Sequence, residues 1–140
     1  MGKLTTAGTG PGTATDLRSL LESGTVLLRT RKRDGTWVGT PVSLVDDGRG
    51  TGAFFRTYDA AGKVKRLRNF PEVRVAPSTL RGRPTGPEVT GRTRRLHGAE
   101  DLAARRALAA RFPVLHGLLV PWYHRMRGWT TLHYELTLDH

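Results

Sequence analysis

The chain has 140 residues, 37% of them hydrophobic and 25% charged, with 17 Gly, 8 Pro and no Cys, the make-up of one compact domain. A chain of this length can withdraw roughly 68% of its unfolded surface from water, so it needs no disulfide or structural metal to hold a core. The lack of Cys excludes thiolate catalysis, thiolate zinc sites and disulfide staples, and the 23 Lys plus Arg against 12 Asp plus Glu leave a net charge of +11, which suits an anionic partner and is equally what an Arg-rich coding base composition produces.

Of the basic residues 19 are Arg, whose planar fork suits phosphate and carboxylate better than a point charge does. They are spread along the chain. Arg56 to Arg68, Arg81 to Arg95 and Arg105 to Arg127 each hold five basic residues and at most one acid, so the charge is no simple tail. No apolar run approaches the roughly 20 residues needed to cross a bilayer. The longest, Val114 to Tyr123, is interrupted by His116 and Pro121. The start has no basic-then-apolar signal pattern, and the expected location is cytoplasmic.

In chain order, residues 1–14 are rich in Gly and Thr without periodicity and read as a flexible leader, ahead of a single domain over residues 15–140. Thr15 can cap a short helix with Leu17, Leu20 and Leu21 on one face. Thr25 to Thr30 and Trp37 to Val45 read as a hairpin turned at Asp34-Gly35. In its second strand Val38, Thr40, Val42 and Leu44 face one way, and Pro41 favours an edge or a bulge. After a turn at Asp46 to Gly50, Ala53 to Thr57 is a third strand. A short helix follows with Val64 and Leu67 inward, stopped by Phe70-Pro71. Glu72 to Ser78 and Glu88 to Leu96 are two more strands, joined by the turn Arg81-Gly82-Arg83-Pro84.

A helix is expected over Ala99 to Phe112 with Leu102, Leu108, Ala109 and Phe112 inward, and another over Val114 to Gly128, kinked near Pro121. Thr131 to Leu138 closes the chain with the cleanest alternation: Leu132, Tyr134, Leu136 and Leu138 on one face, Thr131, His133, Glu135 and Thr137 on the other. Six strands with short flanking helices predict a mainly β fold, an antiparallel barrel that avoids open edges by curling closed.

Chemistry concentrates at Gly62-Lys63-Val64-Lys65-Arg66. A glycine followed by a basic helix start brings backbone donors, the positive helix end and cationic side chains to one place, which suits a phosphate. A solvated basic helix has the same pattern. Arg56 and Thr57 end the preceding strand and would extend such a pocket. Neither a catalytic triad nor a carboxylate pair is visible, and His97, His116, His133 and His140 lack metal-like spacing. Tyr58, Tyr123 and His124 are candidate proton donors, and Trp122, Tyr123 and Trp129 can cover a groove or simply pack.

Four segments taken together carry a more specific signal: Arg33-Asp34-Gly35-Thr36-Trp37-Val38-Gly39-Thr40-Pro41-Val42, then Gly62-Lys63-Val64-Lys65-Arg66-Leu67-Arg68-Asn69, then Val75-Ala76-Pro77-Ser78, then Arg81-Gly82-Arg83-Pro84-Thr85-Gly86-Pro87. Over residues 23–97 this string resembles the deazaflavin-dependent oxidoreductases of the pyridoxamine-phosphate-oxidase-like family. The resemblance implies a split β-barrel homodimer that binds coenzyme F420, or in relatives FMN or a haem-type tetrapyrrole, in a groove between subunits. It places Lys63 on the phosphate, with Gly62, Lys65 and Arg66 beside it. Thr40, Val42, Ser43, Arg56 and Thr57 would line the ring and ribityl chain, Pro77 and Ser78 would pass beside the ring, and Arg81 or Arg83 would meet the acidic tail. Related flavin enzymes carry a hydroxyl and an Arg where this chain has Ala61 and Gly62, which favours F420 over FMN. The implied reaction is hydride transfer to a small electron-poor acceptor. Two other readings stay open: a nucleic-acid-binding barrel using Trp37, Phe54, Phe55 and Tyr58 as stacking surfaces, and a flavin or deazaflavin carrier without turnover.

Overall fold

The structure is a computed structural model that describes residues 14–113 and 120–139. The leader expected over 1–14 therefore falls, up to residue 13, outside the described residues. Helix α1 (Ala14–Ser23) leads into the hairpin β1 (Thr25–Arg31) and β2 (Trp37–Ser43), followed by β3 (Val45–Asp46) and β4 (Gly52–Tyr58). Helix α2 (Gly62–Asn69), strands β5 (Glu72–Pro77) and β6 (Val89–Arg95), helices α3 (Gly98–Arg111) and α4 (Val120–Arg127), and strand β7 (Thr131–Leu138) complete the chain. No described helix is long and apolar enough to cross a membrane.

The hairpin forms where its turn chemistry says it should. Gly35 sits at φ +90°, in the region that disfavours side chains, and the Asp34 carboxylate accepts from the Thr36 amide (3.0 Å) and hydroxyl (2.7 Å). The strands assemble into one antiparallel sheet in the order β2-β1-β5-β6-β7-β4-β3. Its two ends, β2 and β3, are consecutive stretches of chain separated by Leu44 alone. The sheet must therefore curl until its first and last strands meet, which is the barrel closure expected of a sheet that hides its edges.

That closure explains one difference from expectation. The sheet has seven strands, not six, because the run read as one strand over Trp37 to Val45 changes partner at Leu44: β2 pairs with β1 and β3 with β4. Pro41 lies on β2, which is bonded on one side only, where a missing amide donor is tolerated.

Inside the barrel Val26, Leu28, Val42, Leu44, Phe55, Val73, Val75, Leu132, Tyr134, Leu136 and Leu138 form one apolar cluster. Phe55 stacks on Tyr134 with ring centroids 5.3 Å apart. Leu17 and Leu20 of α1 join that cluster beside the start of β1, and Val64 and Leu67 of α2 join it beside the far end. Each such buried side chain stabilises the fold by about 1.5–3 kcal/mol relative to exposure. A second, smaller cluster of Phe54, Leu96 and Ala104 lies outside the barrel, where α3 packs on β4.

Helix α3 turns differently from its predicted stripe. Leu102 is 42% exposed, whereas Ala104 and Leu108 are fully buried. The inward line runs 101-104-108, and it begins with the polar Asp101 because that residue faces His133. His133 was placed on the polar face of the last strand, yet it is fully buried: β7 is central in the sheet and α3 covers its outer side. Of the helix expected over Val114 to Gly128, α4 occupies Val120–Arg127, and residues 114–119 lie outside the described residues.

Candidate functional site

Strand β4 is bonded to β7 along its whole length, but to β3 only at Ala53 and Phe54. Strand β2 is bonded to β1 along its whole length. Continuing the β3–β4 register past Leu44 would set Val42 opposite Thr57, but no ladder forms there among the described residues. The two strands part from a common point, leaving a seam with a free backbone edge on each side. Such edges attract a ligand or another chain unless something covers them. Thr40 and Thr57 stand on opposite walls of this seam, and the hydroxyl of each is buried without a hydrogen-bond partner among the described residues, a state that costs about 1–3 kcal/mol until a partner arrives.

The loop after β4 carries the chain into α2. This helix starts without a side-chain cap on Ala61, and its first turn contains no acid. Helix starts ordinarily gather Asp, Glu, Ser or Thr to satisfy their free amides and positive dipole end; here Lys63, Lys65 and Arg66 stand instead. Arg66 donates from Nε to the Thr30 hydroxyl at 2.6 Å. A Cβ on Gly62 would come within 2.8 Å of an Arg66 guanidinium nitrogen, so the glycine leaves room for that guanidinium to fold back over the first turn. Lys63 is half-buried, and burial, with the Arg66 charge next to it, pulls its ammonium down to about 8. No carboxylate among the described residues eases that shift. Lys65 is exposed.

Other residues assigned by resemblance lie elsewhere. Ser43, Pro77 and Ser78 meet at the α1 end of the barrel: Ser43 is opposite Thr25, Pro77 is opposite Val26, and the Ser78 amide donates to the Thr25 carbonyl at 3.1 Å. From Val26 to Thr30, the residue held by Arg66, is four steps of β1, about 13 Å at the usual rise per residue. The residues therefore occupy the two ends of the barrel: Val42, opposite Val26, belongs with the α1 end, and Thr40, opposite Leu28, lies midway to Thr30. Arg81 and Arg83 are exposed in the turn whose Gly82 sits beside Pro41.

Arg56 is separated from Thr57 by the pleat of β4. Thr57 shares the inner face with Phe55, while Arg56 points outward to α3 and donates from Nε to His133 Nε2 at 3.0 Å. Because a guanidinium can only donate, His133 Nε2 accepts and the ring proton is on Nδ1, where it meets Asp101 Oδ1 at 2.8 Å. Burial, opposed by the Asp101 bond, lowers the His133 pKa, consistent with a neutral ring. Nearby, Tyr58 stacks on Trp129 at 4.1 Å, with Tyr123 and His124 edge-on to Trp129. All three candidate proton donors thus stand in one aromatic group at the end of β4, and His124 is held by Thr131 at 2.8 Å. No motif in the sequence marks Thr30, Asp101 or Arg105, and His133 falls on the face of the last strand opposite its apolar residues. The i, i+4 spacing of Asp101 and Arg105 was the one local signal of this cluster.

No family model matches the sequence, and no curated protein matches it. Solved structures do. The chain is similar to HutZ, the heme storage protein of Vibrio cholerae (12% identity, 90% of this chain and 89% of that one, TM-score 0.63). It is similar to a putative pyridoxamine 5'-phosphate oxidase of Listeria innocua (12% identity, 91% and 94%, TM-score 0.55) and to a NimC/NimA family protein of Clostridium acetobutylicum (18% identity, 90% and 79%, TM-score 0.60). The fold is the split barrel. At these identities the likeness concerns architecture, the curled antiparallel sheet with short helices common to pyridoxamine 5'-phosphate oxidase-like proteins, and leaves the ligand to be argued from the site.

Proposed function

We propose that this protein is an oxidoreductase that uses coenzyme F420, bound along the β2–β4 seam at the interface of a homodimer, to reduce a small electron-poor acceptor. The observation that carries the reading is the cationic, uncapped start of α2 at the end of a seam whose two threonine hydroxyls lack partners. A helix start that gathers ammonium and guanidinium groups opposes its own dipole, and a phosphodiester relieves that opposition. Lys63 and Arg66 would hold the phosphate, with the free amides after Ala61 as further donors. Thr40 and Thr57 would satisfy polar atoms of the ribityl chain or ring edge.

When bound, the coenzyme supplies the hydride. The chain's own residues bind, orient and shield: Thr30 fixes Arg66, Val64 and Leu67 seat α2 on the barrel, and Tyr58 with Trp129 walls the end of β4. The polyacidic tail of F420 also gives the +11 charge a partner, which FMN with fewer negative groups does less well. The heme storage protein among the structural relatives makes a tetrapyrrole the second reading. Against the nucleic-acid reading, the stacking surfaces it needs are engaged: Phe54 and Phe55 are buried on opposite faces of β4, Arg74 covers the Trp37 ring at 4.3 Å, and Tyr58 lies on Trp129.

The test is a fluorescence titration with F420, FMN, hemin and a short oligonucleotide at two salt concentrations, followed by a reduced-F420 turnover assay with a quinone acceptor. F420 should saturate and resist salt better than the oligonucleotide, whose affinity falls as counterions return. Saturation without turnover would make the protein a carrier. Binding of the oligonucleotide alone would overturn the assignment.

A further inference from the structure

A second concentration of positive charge lies on the opposite side of β4, between the outer faces of β4 and β7 and helices α3 and α4. Arg56, Arg105, His124, Arg125, Trp129 and Thr131 line a cleft of about 270 Å³ there. Three of these six side chains are guanidiniums, and no carboxylate is among the lining residues. Two acids act on the lining residues and both are engaged: one oxygen of Asp101 accepts from His133 at 2.8 Å and the other is 3.9 Å from Arg105, while Asp59, whose charge reaches His124, accepts from the Thr130 amide at 3.0 Å. Arg56 is only 6% exposed and is held in place from behind by the Asp101–His133 pair, much as an orienting second partner fixes a metal-bound or catalytic imidazole. The guanidiniums repel one another: Arg56 is pulled down to about 10, first by burial and then by Arg105.

We propose that this cleft is a second ligand site, one that takes the oxyanion group, carboxylate or phosphate, of a small molecule. Guanidiniums cannot shed their charge at neutral pH and match both groups with paired hydrogen bonds. The volume lies at the small end of ligand pockets, which suits the acidic end of a small molecule. The site is independent of the α2 seam, because Arg56 and Thr57 face opposite sides of one strand.

The experiment titrates the full-length protein with inorganic phosphate and, separately, with succinate, ionic strength being held constant with chloride. The readouts are the His124 ring and Trp129 indole NMR signals, whose side chains line this cleft, with the Lys63 and arginine variants separating it from the seam. The expected result is a saturable shift with at least one of the two. Saturation by phosphate alone assigns a phosphorylated ligand, and by succinate alone a carboxylate. Replacing the two exposed arginines, Arg105→Gln with Arg125→Gln, should weaken the affinity about tenfold or more, with Lys63→Ala leaving it unchanged. Should the double variant fail to melt cooperatively, Arg125→Gln alone carries the comparison. A shift no larger than chloride produces, saturation unaffected by the arginine variants, or saturation lost in Lys63→Ala would overturn the proposal. Loss of F420 binding in Lys63→Ala, by contrast, bears on the seam alone.

Discussion

The mouth of α2 and the cleft beneath α3 both gather cations within a few residues of the same strand end, but they support them differently. At α2 the charges stand on a helix start that disfavours them, and Arg66 is tied to the Thr30 hydroxyl. In the cleft, Arg56 is backed by a histidine and a carboxylate in series. The difference lies in what each region leaves unsatisfied. The seam combines unrelieved charge with buried orphan hydroxyls and unpaired strand edges, the requirements of a long ligand with several polar points. The cleft has a braced floor and a small volume, the requirements of one acidic group.

The change that should disturb both regions most is Phe55→Ala. Phe55 is fully buried, stacks on Tyr134, and sits in the strand that serves both sites, so its loss should cost about 3–5 kcal/mol of stability, measured by denaturant unfolding. Lys63→Ala separates the two regions. It should weaken F420 binding by about 1.5–3 kcal/mol through loss of a charge-assisted bond while the unfolding midpoint holds. Asp101→Asn separates them in the other direction: loosening the support behind Arg56 should lower stability by about 1–2 kcal/mol and leave F420 affinity alone, as paired unfolding and binding curves would reveal.

The smallest effect near neutrality is the pH dependence. The unliganded Lys63 ammonium titrates near 8, and an anion beside it stabilises the protonated form. F420 affinity should therefore be flat below about pH 8 and decline above it, where binding requires proton uptake. Lys63→Arg should abolish the decline. A profile that falls on the acid side instead would assign the linkage to another group.

What the sequence made legible was local. The Asp34-Gly35 turn, the inward pair Val64 and Leu67, and the alternation of the last strand each follow from neighbours within one turn or one pleat. The basic start of α2 was legible for the same reason, since its missing cap and missing acids are read from consecutive residues. What escaped depends on partners distant in sequence. Thr30 lies 36 residues from Arg66 and Asp101 lies 32 from His133. Strand β7 looks half-exposed until α3 is laid over it, and the inward line of α3 passes through Asp101 in place of Leu102 because a buried histidine needs an acceptor more than a leucine there needs cover. The break at Leu44 likewise exists only because the sheet closes on itself. Arg56 and Thr57, adjacent in sequence, were read as extending one pocket; the two-residue period of the strand sends them to opposite faces.

The most direct test of the seam is an F420 titration of the wild-type protein beside Lys63→Ala and Arg105→Gln, monitored by cofactor fluorescence at fixed salt. Saturable binding by the wild type, weakened in Lys63→Ala and intact in Arg105→Gln, is the predicted result. Binding that ignores Lys63, or that disappears with Arg105, would contradict the placement of the coenzyme between β2 and β4.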